Sequence, residues 1–123
     1  MLRQTAFEPE PPALPAPATT ISAFGYICVQ HENEDEITAL HDQVANYTSA
    51  NHLNLVEVYV DRNVWPGQVI RPGLTVLLDA VVRSEGCVVV VPSAAHLSPE
   101  GAIRRAVEVE IQMLGARTVT CVR

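Results

Sequence analysis

Three times between residues 21 and 122 a short apolar run gives way to a longer stretch whose apolar residues recur three and four apart, and a fourth apolar run closes the pattern. Ser22 to Val29, Leu53 to Val60, Cys87 to Val91 and Arg117 to Val122 read as strands. The third is an unbroken branched run, as expected of a strand covered on both faces. Helices are expected near residues 34–50, 72–85 and 99–114. Asn33 or Asp35 can begin the first, with Ile37, Leu40, Val44 and Tyr47 inward. Pro72 suits the first turn of the second, which should bury Leu74, Leu77, Leu78, Val81 and Val82 and stop at Gly86. Ser98 and Pro99 should open the third, with Gly115 as its stop. Strand and helix in alternation imply right-handed crossovers. The expected fold is α/β and three-layered: a mainly parallel four-stranded sheet with helices on both faces. In such sheets ligands sit beyond the carboxyl ends of the strands, here Gln30 to Glu32, Asp61 to Arg62 and Pro92 to His96.

The alternation leaves residues 1–20 outside. Five prolines among them prevent helix and ladder hydrogen bonds, so a disordered or polyproline-like arm is expected, followed by one domain over residues 21–123. Pro9, Pro12 and Pro15 have the spacing of a ligand for an aromatic groove, but a plain linker is the commoner use of such an arm. The same prolines interrupt any secretory signal, and no run reaches the roughly 18 apolar residues of a membrane helix. A soluble cytoplasmic protein is expected.

Charge and chemistry exclude more than they nominate. The net charge is -6, and all eight basic residues are arginines, the opposite sign to a protein built to neutralise phosphates. Weak or no direct nucleic-acid binding follows. Cys28, Cys87 and Cys121 sit in or beside apolar runs without a Cys-x-x-Cys pair, and His31, His41, His52 and His96 show no metal-ligand spacing with them. No metal and no cofactor are expected, since neither a dinucleotide fingerprint nor a phosphate-cradling Gly-Lys-Ser/Thr loop is present. The place of a phosphoacceptor aspartate after the third strand is held by Pro92-Ser93. Glu32, Glu34, Asp35 and Glu36 lead into a helix, where negative charge meets the positive end of the dipole. His31 and Ser93 could be base and nucleophile, but no third orienting group accompanies them.

One set of motifs goes further. Phe24-Gly25-Tyr26-Ile27-Cys28-Val29-Gln30, the helix through Tyr47, Leu55 to Asp61, Arg71-Pro72-Gly73-Leu74 and Val88 to Val91 follow one another in an order and spacing that resembles the catalytic domain of serine recombinases, the resolvase and invertase family. The resemblance covers Phe24 to Val122 and implies the same α/β fold. In that family the first strand reads Tyr-x-Arg-x-Ser, with the serine as nucleophile; the same frame here puts Cys28 at the arginine and Gln30 at the serine. Arg71 matches one of the family's active-site arginines, and Val64-Trp65-Pro66-Gly67 stands where the family often carries Ser-Gly in a mobile loop. After the third strand the family has Asp-Arg-Leu-x-Arg, against Ala95-His96-Leu97-Ser98-Pro99 here. The family continues into a long oligomerisation helix and a DNA-binding helical module, both of which this chain is expected to lack.

Together these readings predict a catalytically inactive recombinase-like domain, not an enzyme, that serves as a protein-interaction or regulatory module. Two alternatives stand beside it: binding of a small anionic ligand or nucleotide at the rim, and a non-catalytic part in DNA recombination. Cys28, Gln30, Arg71, Ser93 and His96 are the expected vestigial pocket, with Arg71 alternatively bonded to a carboxylate such as Asp61. Ile103, Val107, Ile111, Met113 and Leu114 on the third helix are the expected interface with a second copy or another protein.

Overall fold

In a computed structural model, which describes residues 20–68 and 70–122, the first strand β1 (Ile21–Cys28) runs through the middle of the molecule. It is followed by α1 (Glu34–Ala50), β2 (Leu53–Asp61), α2 (Pro72–Val82), β3 (Val88–Val91), a 3-10 turn at Ala94–His96, α3 (Gly101–Met113) and β4 (Arg117–Thr120). All pairings are parallel and the strand order is β2-β1-β3-β4. The α/β sheet with helices on both faces is as the alternating periodicity implies. The expected arm, residues 1–20, lies outside the described residues except for Thr20.

Two apolar layers flank the sheet. On one side Val44 and Ile37 of α1 pack on Ala23, Ile27, Val88 and Val90. On the other, α2 and α3 cover Phe24, Tyr26, Val89 and Val91 with Leu74, Leu77, Val81, Val107 and Ile111. Gly25 lets α1 approach, because a Cβ there would lie 2.9 Å from both Val44 and Val58.

The helix ends follow local chemistry. Asn33 caps α1, its Oδ1 accepting from the Glu36 N–H at 3.2 Å. At the end of α3, Ala116 N–H donates to the Ile111 carbonyl and Gly115 N–H to the Gln112 carbonyl, a Schellman motif in which Gly115 takes φ 94°. Two expected boundaries move. The second helix stops at Val82 rather than running to residue 85, and Val82 is exposed because it lies about 100° around the axis from buried Val81. Ser98 and Pro99 do not open α3: Ser98 Oγ accepts the Glu100 N–H in a turn of its own, and the helix begins at Gly101 with Glu100 as its cap.

The simple alternation expected of β2 is also broken. Ala23 pairs with Leu55 but Phe24 with Glu57, so Val56 is an extra residue and forms a bulge. Before it, Leu53 and Leu55 face α1; after it, Val58 and Val60 do. Tyr59 therefore turns to the α2 side, with its ring 6.3 Å from that of Phe24, and Asp61 follows it.

Candidate functional site

Asp61, at the end of β2, is 5% exposed and organises the ground beneath the site. Its Oδ2 accepts from the Tyr26 hydroxyl at 2.6 Å and the Leu74 N–H at 3.0 Å, and its Oδ1 accepts from the Gly73 N–H at 2.7 Å. Pro72 has no N–H to satisfy, so the carboxylate caps the next two donors of α2 from a neighbouring strand. The close approach explains Gly73: a Cβ there would meet the carboxylate at 2.9–3.0 Å. Burial, with the hydrogen bond to Asp61 next, pushes the Tyr26 hydroxyl far above the usual tyrosine range.

Because Asp61 is committed to Tyr26 and the helix, it does not pair with Arg71, contrary to the alternative raised above. Arg71 is 6% exposed, and no carboxylate forms an ion pair with it among the described residues. Its Nη1 donates to the His96 carbonyl at 3.4 Å and lies 3.7 Å from Cys28 Sγ, while the guanidinium stands 5.9 Å from the centre of the Tyr26 ring. Its buried Nε has no hydrogen-bond partner.

His96 completes the group. Its Nδ1 accepts the Cys28 N–H at 3.0 Å, which ties the end of β1 to the turn after β3. Burial pushes this imidazole below the usual histidine range. The occupied Nδ1 lone pair acts in the same direction, since a protonated ring could not accept that bond.

These side chains meet in an open pocket of about 210 Å³ at the carboxyl ends of β1 and β3, where the chain's two crossover directions diverge. Cys28, Gln30, Arg71 and His96 line it together, as does the loop that carries Trp65. Ser93 is not among its lining residues; it is half-buried at the start of the 3-10 turn. Ser98 and Gln68, which the sequence did not nominate for any site, do line it, as does Ile103, which was expected at an interface. Their only sequence signal was position: Gln68 in the loop before Arg71, Ser98 two residues beyond His96, and Ile103 one turn into the next helix.

The other nominated groups have local duties. His31 accepts the Asn33 N–H on Nδ1 and meets Glu36 through Nε2 at 3.1 Å, so it is not paired with Ser93. Glu34 holds Arg62 through two bonds and Glu32 holds Asn63, which accounts for the acidic cluster. No metal-holding group of histidine, cysteine or carboxylate side chains occurs among the described residues.

No protein-family model matches the chain, and no curated protein does either. Solved structures do. The C-terminal catalytic domain of ISC1926 TnpA, an IS607-like serine recombinase, superposes with a TM-score of 0.71 at 21% identity, over 82% of this chain and 70% of that one. The fold is that of a serine recombinase catalytic domain. The N-terminal catalytic domain of TP901-1 integrase gives a TM-score of 0.74 at 16% identity, over 81% of this chain and 77% of that one. A resolvase family site-specific recombinase from Streptococcus pneumoniae gives 0.67 at 14% identity, over 83% and 72%. Within the recombinase fold, the pocket at Arg71 lies at the strand ends and Gln30 stands at its exposed rim.

The recombinase fold also sorts the expected interface. Val107 and Ile111 are buried in the core under α3, which takes these two out of a partner's reach, and Leu114 packs partly buried against the same cluster. Ile103 is partly exposed and Met113 is 81% exposed. Met113 belongs to a different stripe, with Ala102, Ala106 and Val109 at helical spacing, all of them exposed. The one wide apolar stripe expected from the sequence is thus two stripes on one helix. No helix among the described residues is long and apolar enough to cross a membrane.

Proposed function

We propose that this chain is a catalytically inactive domain of serine recombinase fold whose remaining pocket binds one small anion, phosphate-like in size, as a regulatory or interaction module. The observation that carries this reading is Arg71: a guanidinium almost fully buried in the wall of an open pocket, with no carboxylate on it and no partner for its Nε among the described residues. An unpaired buried cation costs several kcal/mol, roughly. A cation–π contact with Tyr26 and one long bond to a carbonyl offset only part of that.

Support for inactivity comes from what surrounds Arg71. Gln30 occupies the place where the resemblance puts the nucleophile, and an amide cannot form the covalent link to DNA. Cys28, His96 and Pro99 occupy the places of three arginines, and burial favours the neutral form of His96, so it does not replace a fixed cation. A single transition-state arginine is worth about 10³ or more in phosphoryl transfer, so one guanidinium leaves no useful rate. Partnership with an intact recombinase in DNA recombination remains compatible with this reading.

Two measurements test it. Inorganic phosphate, sulfate and a nucleoside monophosphate should each raise the melting temperature, by about 1.4 kcal/mol of stabilisation at ten times Kd, and Arg71→Met should abolish the response. On supercoiled plasmid the protein should neither cleave nor join DNA, and Gln30→Ser alone should not revive activity. A covalent protein–DNA adduct would overturn the inactive reading; an absent thermal response would overturn anion binding.

A second reading, self-association, is favoured by the exposed Ala102, Ala106, Val109 and Met113 stripe on α3. Sedimentation at several concentrations tests it, with Met113→Glu expected to return any dimer to monomer.

A further inference from the structure

We propose that Cys28 is a reactive thiol, a modification site that opens into the pocket and is activated by Arg71. This does not rest on anion binding there; it follows from how the three cysteines differ. Cys87 is buried before β3, at the end of the sheet opposite Cys28, and burial pushes its thiol up, towards the unreactive protonated form. Cys121 is half-buried on the α1 side, its thiol also pushed up by burial and donating to the Gln43 carbonyl at 3.8 Å. Cys28 alone among them lines an open pocket, and it alone meets a cation, with Arg71 Nη1 at 3.7 Å from its sulfur.

The thiolate is the nucleophilic form of cysteine, and a neighbouring guanidinium stabilises it. Among the described residues no carboxylate competes for that guanidinium, whose Nε has no hydrogen-bond partner there either. Of the two side chains that meet Arg71 in this way, the Cys28 thiol and the Tyr26 ring, the thiol is the nucleophile. The environment of Cys28 is therefore arranged for attack on an electrophile small enough to enter about 210 Å³, and a hydroperoxide is the natural class. In that step the thiolate sulfur attacks one peroxide oxygen; the S–O bond forms and the O–O bond breaks. The departing oxygen leaves as hydroxide or alkoxide and takes a proton from water. Sulfur is oxidised by two electrons and the peroxide is reduced by two, leaving a sulfenic acid beside Arg71. Cys121 lies on the opposite face of the sheet, so the sulfenic acid would be capped by a low-molecular-weight thiol, forming a mixed disulfide and releasing water.

The test is alkylation of the full chain with iodoacetamide at one pH near 7.5 in chloride buffer, with the three cysteines quantified separately by peptide mass. Cys28 should react at least about tenfold faster than Cys121 and Cys87, and Arg71→Met should slow Cys28 by about tenfold while leaving the other two unchanged. Arg71→Lys should restore part of the rate, which a purely structural role for Arg71 would not explain. Equal rates for Cys28 and Cys121, or an unchanged or faster Cys28 in Arg71→Met with the others unchanged, would overturn the proposal. If Arg71→Met unfolds the protein, all three cysteines will label alike in that variant; the wild-type ratio of Cys28 to Cys121 then decides, with a ratio near one as the refuting result.

Discussion

Removing the Asp61 carboxylate should be among the most damaging single changes in the domain. Asp61→Ala strands the hydroxyl of Tyr26, whose side chain is fully buried, and uncaps the Gly73 and Leu74 N–H groups at the start of α2. A buried hydroxyl left without its acceptor costs about 1–3 kcal/mol and loss of a cap costs about 0.5–2 kcal/mol, so the sum is about 1.5–5 kcal/mol. That is a large share of the roughly 5–15 kcal/mol that stabilises a typical domain. Graded variants sharpen the test. Asp61→Asn can keep its oxygen toward Tyr26 and Leu74 and lose only the Gly73 bond, for about 1–2 kcal/mol; Tyr26→Phe leaves both helix contacts intact and costs about 1 kcal/mol. Urea denaturation should therefore rank the midpoints Tyr26→Phe, Asp61→Asn, Asp61→Ala in falling order, with the denaturant slope unchanged. If Asp61→Ala costs no more than Tyr26→Phe, the carboxylate is not what anchors α2 to β2, and the account of the Arg71-Pro72-Gly73 turn fails.

Further outcomes follow from the same structure. Because His96 is held below its ordinary value near 6.5, the unfolded chain takes up a proton at His96 before the folded one does. The stability contributed by neutral His96 is thus present above about pH 6.5 and is lost as pH falls below it; melting curves between pH 5 and 8 should show this slope in the wild type and less of it in His96→Asn. Ile111→Ala should cost about 2–5 kcal/mol in urea denaturation, as a fully buried core residue, whereas Met113→Glu should stay within about 0.5 kcal/mol. A reversal of those two would return Ile111 to the interface and Met113 to the core.

Most of the fold was legible because its signals are local. Period-2 and period-3.6 apolar spacing, the Asn33 cap and the Gly115 stop each act within a few residues of chain, and each lies where the spacing placed it. What the sequence concealed depends on contacts across the chain. Asp61 looked like a partner for Arg71 because the two are near in sequence and opposite in charge; only the fold shows that Tyr26, 35 residues away, and the helix backbone take the carboxylate first. Gathering Cys28, Gln30, Arg71 and His96 into one pocket followed from the strand-end rule together with the family resemblance. Ser93, at the start of the 3-10 turn, falls outside the lining that Ala95 and His96 join two and three residues later. On α3 the apolar residues were read as one wide stripe; the fold divides them into a core stripe with Val107 and Ile111 and a surface stripe with Met113, because only the packing of the helix on the sheet fixes which side is covered.

The bulge at Val56 means that the spelling of β2 has a hidden frame. Side chains before it are counted in one phase and those after it in the other, so one residue fewer would carry Tyr59 and Asp61 to the far side of the sheet. Its position on an outer strand makes this possible, since only β1 must accommodate the extra residue. When this chain is aligned with others of the same fold, a single gap placed before or after Val56 thus decides whether a carboxylate is assigned to the end of α2 or to the face under α1. Length variation of one residue in this strand is a change of chemistry, whereas the same variation in the loop beyond Asp61 is only a change of reach.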